Sequence, residues 1–419
     1  MAQDFKIKPG MPILLAKASG ILFGVYILSG RWGFDRLFGE GTQESYPSVF
    51  YEVRLWIVLM IAILTILPRG GDMRPVHGST VFKYTVALFL FFFYVAASAL
   101  WAPDAGLAAQ KAYEVFLTAV ATLSLYRVFS TVEGAAARDY FWYTVVLITG
   151  TLSLGGLYKV MTLDLSRVAV LGGGPNVFGR LMGFLFIGAL YFWRKGGRTH
   201  YWTSAIVISG ILTILSGSRG CFIALVFAVF TFFSVERIRL SRIVALAIAA
   251  GIIAFIILYY TSAGDFVMEA YRSRIEKLLI EQQYGAGRET LYLDAYTLGI
   301  EHPVFGAGLA AFPALGLGGY PHNFFLEIFS ETGMFGLASI LSIFFFFAVN
   351  IWKKLKAFDG ASVSAFVLIL AAGQFSGDFY DSRGIFFFLL MSLLPKSHAV
   401  PATTEINYAR NNNNAAVRV

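Results

Sequence analysis

The chain has 419 residues, 57% of them hydrophobic and only 14% charged, with a mean hydropathy of +0.68. A soluble domain is about a quarter charged, so this balance excludes a soluble multidomain enzyme and points to a bilayer. The net charge of +8 does not imply nucleic acid, because the basic residues fall mostly in short loops between apolar runs. The single cysteine, Cys221, lies inside an apolar run and excludes an internal disulfide or a thiolate metal site.

A helix crosses the hydrocarbon with about 20 apolar residues. Taken in chain order, candidate spans cover 11–30, 53–67, 84–101, 112–129, 141–158, 177–193, 201–217, 221–235, 243–262, 323–352, 361–375 and 385–394. The first follows Lys6 and Lys8, but it is long for a signal peptide and has no clear cleavage site. The tenth is long enough that it must tilt, or break near Gly333 and Gly336. Between the ninth and tenth spans, 263–321 is the one sizeable loop. Its stretch 266–283 has helical apolar spacing with charges between, a second helix is expected from Arg288 to about Ile300, and Pro303 should stop it. The glycines from Gly306 to Gly319 read as turns, and the polar tail 395–419 as a disordered end.

Twelve spans put both termini on one side. With the termini cytoplasmic, the inner segments hold 19 Lys and Arg and the outer loops 11, four of these in the long loop. The expected fold class is therefore all-α: a polytopic membrane protein of about twelve spans (1–262 and 322–394), with a large outer loop at 263–321 containing short helices.

The residues able to do chemistry gather on the outer side. Residues Ser216 to Gly220 separate two apolar runs which, fused into one helix, would reach about 50 Å, so the chain must turn there and set Arg219 at the tip. Such an arginine either snorkels to headgroups or serves a function. Arg54 and Arg180 lie near the same face. With them the outer set holds ten arginines against three lysines, a bias that suits bidentate phosphate recognition. His322 opens the tenth span, where the positive helix end favours the neutral imidazole that a general base needs; the alternative is a hydrogen-bonded interfacial histidine. His302, before Pro303, reads as a turn residue. Asp378 and Asp381 share an outer loop with Arg383, and they bind a cation, orient a ligand or pair with that arginine. Glu327 and Glu331 lie on one helix face and need a partner, with an outer arginine the candidate. No Asp-X-Asp pair supports a sugar-transfer metal site.

His322-Asn323, nine residues, then Gly333-Met334-Phe335-Gly336 resembles the His-Asn-x9-Gly-x-x-Gly signature of bacterial O-antigen ligases. Ser218-Arg219-Gly220 resembles the arginine motif at that family's seventh-to-eighth span turn. Arg288, with the stretch from His302-Pro303 to Gly308, resembles its large periplasmic loop. The resemblance implies a membrane-embedded glycosyltransferase of the inner membrane, working at the periplasmic face without metal or cofactor. Its donor would be a polysaccharide on undecaprenyl pyrophosphate and its acceptor a sugar hydroxyl of lipid A–core. His322 would be the base and Arg219 and Arg288 the pyrophosphate-stabilising cations, with Arg54, Arg180, Asp378 and Asp381 as further substrate-binding candidates. O-antigen polymerases and protein O-oligosaccharyltransferases share parts of this pattern, and a lipid-linked glycan transporter is the alternative from another class.

Overall fold

A computed structural model of the chain describes residues 11–30, 52–67, 80–130, 133–161, 168, 174–196, 199–238 and 288–394. These residues are built from helices: α1 (Met11–Leu28), α2 (Val53–Ile66), α3 (Thr80–Ala97), α4 (Ala105–Phe129), α5 (Gly134–Met161), α6 (Pro175–Lys195), α7 (Thr199–Leu215) and α8 (Arg219–Glu236). After the loop come α9 (Arg288–Glu301), the single turn α10 (Ala311–Ala314), α11 (Phe324–Lys353), α12 (Gly360–Ala372) and α13 (Gly384–Leu393). The expected ninth span, the helix at 266–283 and the tail lie outside the described residues.

Six of these helices are long and apolar enough to cross a membrane, and α1, α2, α7, α12 and α13 are shorter apolar helices. Large side chains such as Phe89, Phe93, Phe230, Phe345 and Phe346 stand exposed on the bundle surface. In water such a surface would drive aggregation; against lipid tails it is matched to its solvent. The chain is a multi-pass membrane protein.

The interior explains the two shortest helices. α12 and α13 extend only about 20 and 15 Å, less than the hydrocarbon thickness. Both are wrapped by other helices: α12 packs on α8, α13 and α6, and Phe386 to Met391 of α13 are wholly buried. They form the centre of the bundle. The loop 373–383 that joins them is consequently let down among the surrounding helices, with Ser376, Asp378, Phe379, Tyr380, Ser382 and Arg383 all buried.

Two ends of the bundle are distinguished by their polar contacts. At one, Arg138 donates to the Met391 and Leu394 carbonyls at the end of α13, Lys195 pairs with Asp139, and Glu236 accepts from the Gly360 amide. At the other lies the 373–383 loop. There Arg383 donates to the carbonyls of Tyr26, Ile27 and Ser29, closing the C-terminal end of α1. A cation at a helix C-terminus satisfies carbonyls that have no intrahelical partner and complements the dipole. Arg383 is thus committed to the backbone, and of the alternatives weighed for Asp381 the pairing with Arg383 is corrected: Asp381 pairs with Arg180 instead, at 3.5 Å.

Of the two outcomes its length allowed, tilt or break, α11 breaks, at Gly333. This residue has φ +66° and ψ −166°, a region open essentially only to glycine. The break frees backbone groups that lipid cannot satisfy. The 302–308 stretch fills it. Amides of Ala307 and Gly308 donate to the carbonyls of Ser330 and Glu331, and amides of Met334 and Phe335 donate to those of Pro303 and Val304. The Tyr94 hydroxyl takes the Thr332 carbonyl at 2.8 Å. A Cβ at Gly306 would lie 2.3 Å from Glu331 backbone, and one at Gly333 2.4 Å from the Val304 oxygen. Two glycine motifs that are distant in sequence are thus the two halves of one backbone joint.

Candidate functional site

The loop 373–383 is the hub on which the candidate residues converge. Three helices hold it, two of them through its backbone. From α11, the Phe324 amide donates to the Gly373 carbonyl at 2.9 Å, and the Asn323 amide nitrogen to that of Gln374. Asn323 also caps α11, its Oδ1 accepting from the Phe325 and Leu326 amides. From α9, the Tyr292 hydroxyl reaches the Gln374 carbonyl, and Arg288 donates to the Phe375 carbonyl at 2.7 Å. From α6, Asn176 donates to Ser376 at 3.0 Å. α8 meets the hub by close approach: a Cβ on Gly220 would lie 2.6 Å from the Phe375 side chain.

Arg219 is the first helical residue of α8, after Ser218, whose hydroxyl caps the helix by accepting from the Cys221 amide. The turn expected there is present. Arg219 is exposed, beside the glycine that touches Phe375, and Phe375 is the residue whose carbonyl holds Arg288. Neither Arg219 nor Arg288 has a carboxylate partner among the described residues.

The other arginines are spent. Arg54 is buried, paired with Glu52 at 2.6 Å and Glu114 at 3.0 Å, with its guanidinium over the Tyr380 ring. Arg180 is buried against Asp381. The structure therefore divides the sequence candidates: Arg54 and Arg180 hold the loop from beneath, while Arg219 and Arg288 keep charge available at its rim.

His322 sits just before the Asn323 cap with φ +58°, a left-handed conformation that costs a non-glycine residue energy. Its ring lies 4.3 Å, centroid to centroid, from that of Tyr320. Nδ1 is buried and has no hydrogen-bond partner among the described residues, a feature that in a native fold calls for an explanation. Burial and the Arg288 charge hold its pKa below the usual imidazole value, and Asp378 and Asp381 oppose this. His322, Arg288, Asp378 and Asp381 thus share one electrostatic environment. The arrangement sets an imidazole favoured in its neutral form in the field of the Arg288 cation, a combination able to accept a proton near an anionic group.

Glu327 and Glu331 take a partner that the sequence reading did not name. Lys111 of α4 contacts Glu327 at 2.5 Å and both oxygens of Glu331 at 2.7 Å, so the expected arginine partner is corrected to a lysine. Nothing in the sequence ties residues more than 200 positions apart; the only signal was that Lys111 lies near the outer end of its span. Tyr292 and Asn176 were missed for the same reason. His302 is an exposed turn residue, as expected, and its carbonyl accepts from the Gly306 amide.

No curated protein matches the chain. Residues 204–341, about a third of its length, match the family model described as O-antigen ligase. That segment contains the Arg219 turn, Arg288, the 302–308 and Gly333 joint and His322, so the similarity to O-antigen ligases falls on the part of the chain that carries the candidate site.

Proposed function

We propose that this protein is an O-antigen ligase of the bacterial inner membrane. It transfers a polysaccharide from undecaprenyl pyrophosphate to a sugar hydroxyl of lipid A–core at the periplasmic face. What supports the reading is that two guanidiniums without a carboxylate partner among the described residues, and a histidine held toward its neutral form, stand around one loop. The membrane frame belongs to the same reading: about twelve spans, both termini cytoplasmic, and the 373–383 end of the bundle outward.

In the reaction the acceptor oxygen attacks the anomeric carbon as the bond from that carbon to the phosphate oxygen breaks. The electron pair leaves on the pyrophosphate, and the hydroxyl proton passes to His322. Arg219 and Arg288 meet the charge that grows on the leaving pyrophosphate, the role that fixed cations fill best because they need no reorganisation. A single displacement inverts the anomeric configuration. Each of Arg219→Ala and Arg288→Ala is expected to slow transfer about a hundredfold, equivalent to about 3 kcal/mol. Single-turnover transfer by inserted protein checks this, and an unchanged rate would remove that arginine from the mechanism.

The pH profile follows from the surroundings of His322. The base works as neutral imidazole, so kcat/KM should be flat above neutrality and fall on the acid side, with a midpoint below the free-imidazole value of about 6.5. Asp378→Asn removes a charge that favours the imidazolium, so it should move the midpoint further down. Arg288→Gln should move the midpoint of its residual activity up.

Transfer by purified protein tests the whole reading, with a defined lipid-linked glycan, lipid A–core as one acceptor, a second lipid-linked glycan as another, and chelator present. Product on lipid A–core supports the ligase. Product only on the second carrier makes the protein a polymerase, and product only on added polypeptide a protein glycosyltransferase. Loss of transfer with chelator would refute the metal-free mechanism. A transporter would move the glycan and transfer nothing. The break in α11 is a feature that transporters share, but here the backbone of 303–308 occupies the groups freed at the break.

A further inference from the structure

Beside the hub, and not used by the transfer mechanism, lies a buried charged cluster. Lys111 comes from α4, Glu327 and Glu331 from successive turns of α11, and Glu327 and Glu331 are 1% and 3% exposed. The groups facing it from the packed elements are Val95 of α3, Leu309 and the backbone of Ala310 from the loop, and Phe379 from the hub, with Asp378 the nearby further acid. Two carboxylates against one ammonium leave one negative charge in surroundings of low dielectric. Such a charge is strongly disfavoured there unless something neutralises it.

The two carboxylates are not equivalent. Both oxygens of Glu331 contact the Lys111 ammonium at 2.7 Å. Glu327 has a single contact to Lys111 through Oε1, and its Oε2 is buried with no partner among the described residues. The Glu327 side chain lines a cavity of about 10 Å³, the size that admits one water.

We propose that the Lys111–Glu327–Glu331 cluster is a proton-binding site: one exchangeable proton resides on Oε2 of Glu327 and donates into the adjoining water-sized cavity, while Glu331 remains ionised against Lys111. The bond formed is O–H on Glu327, and the cluster becomes neutral. The site lies one helical turn beyond the His322–Asn323 entry to α11, and it exists whether or not the transfer reaction assigned above is correct.

Infrared spectroscopy of the full chain in lipid nanodiscs tests this at neutral pH. The wild-type protein is expected to show a carboxylic-acid carbonyl band that shifts on transfer to heavy water. Glu327→Gln should lose that band. Glu331→Gln should lose it too, because Lys111 then balances Glu327 alone. Lys111→Met should strengthen it, because both acids must then be protonated. A wild-type protein without an exchangeable acid band overturns the proposal, and this arm needs no variant to fold. A band that disappears when sodium replaces choline at constant ionic strength also overturns it, by making the cluster a metal-cation site. So does a band that survives in both glutamine variants.

Discussion

His322→Asn protein is expected to accumulate and insert as the wild type does, yet to transfer glycan about 10²–10⁴-fold more slowly, the range set by loss of a positioned general base. Asparagine is the informative replacement. His322 has φ +58°, and among side chains with a Cβ, asparagine tolerates that conformation best. An alanine variant would add backbone strain to the loss of the imidazole and confuse the two effects. The neighbouring contacts, Asn323 to Gln374 and the Phe324 amide to Gly373, do not involve the imidazole. Stability should therefore hold while transfer fails. Transfer at the wild-type rate by inserted His322→Asn would refute the base assignment.

The second large effect concerns folding. Gly333→Ala is expected to cost several kcal/mol and to remove most of the folded protein from the membrane. Two terms add. A non-glycine residue held at φ +66°, ψ −166° costs about 1–3 kcal/mol. A Cβ there would stand 2.4 Å from the Val304 oxygen and 2.5 Å from the Gly306 nitrogen, both backbone atoms that cannot swing away. Overpacking of this kind costs about 1–3 kcal/mol more. Gly316 also has positive φ, at +71°, but a Cβ there meets nothing within 4 Å. Gly316→Ala should therefore cost only the backbone term. Comparing the detergent-resistant, monodisperse fraction of the two variants separates joint from turn, and equal yields would mean that the interlock at Gly333 contributes little.

These two residues also mark how far the sequence could be read. The helices were legible because lipid demands long apolar runs, and the Arg219 turn because two such runs cannot fuse within a bilayer's thickness. Helix ends were less legible. α4 starts at Ala105, well before the apolar run, because Asp104 caps it by accepting from the Leu107 amide. α5 starts at Gly134 and brings Arg138 and Asp139 to contacts on α13 and α6. Charged residues inside a helix carry no apolar period, so periodicity started both helices too late.

The site was legible as chemistry and illegible as geometry. Arg288 and His322 were visible by residue type and position, but nothing near either foretold that the Phe375 carbonyl would hold one of them. Asp381 and Arg383 sit two residues apart and read as a pair. The buried loop turns them to opposite partners, Arg180 and the end of α1. Local spacing loses to tertiary demand there, because the carbonyls at the end of α1 need a donor more than a half-buried carboxylate needs a second cation.

In the proposed transfer, Arg219 and Arg288 hold the lipid pyrophosphate and His322 handles only the acceptor's proton. Phosphorus NMR titration of undecaprenyl pyrophosphate into the protein in nanodiscs tests this most directly. The wild type and His322→Asn should bind the lipid alike, and Arg219→Ala and Arg288→Ala should each bind it markedly more weakly. Binding that is unaltered in both arginine variants, or lost with the histidine alone, would contradict the account.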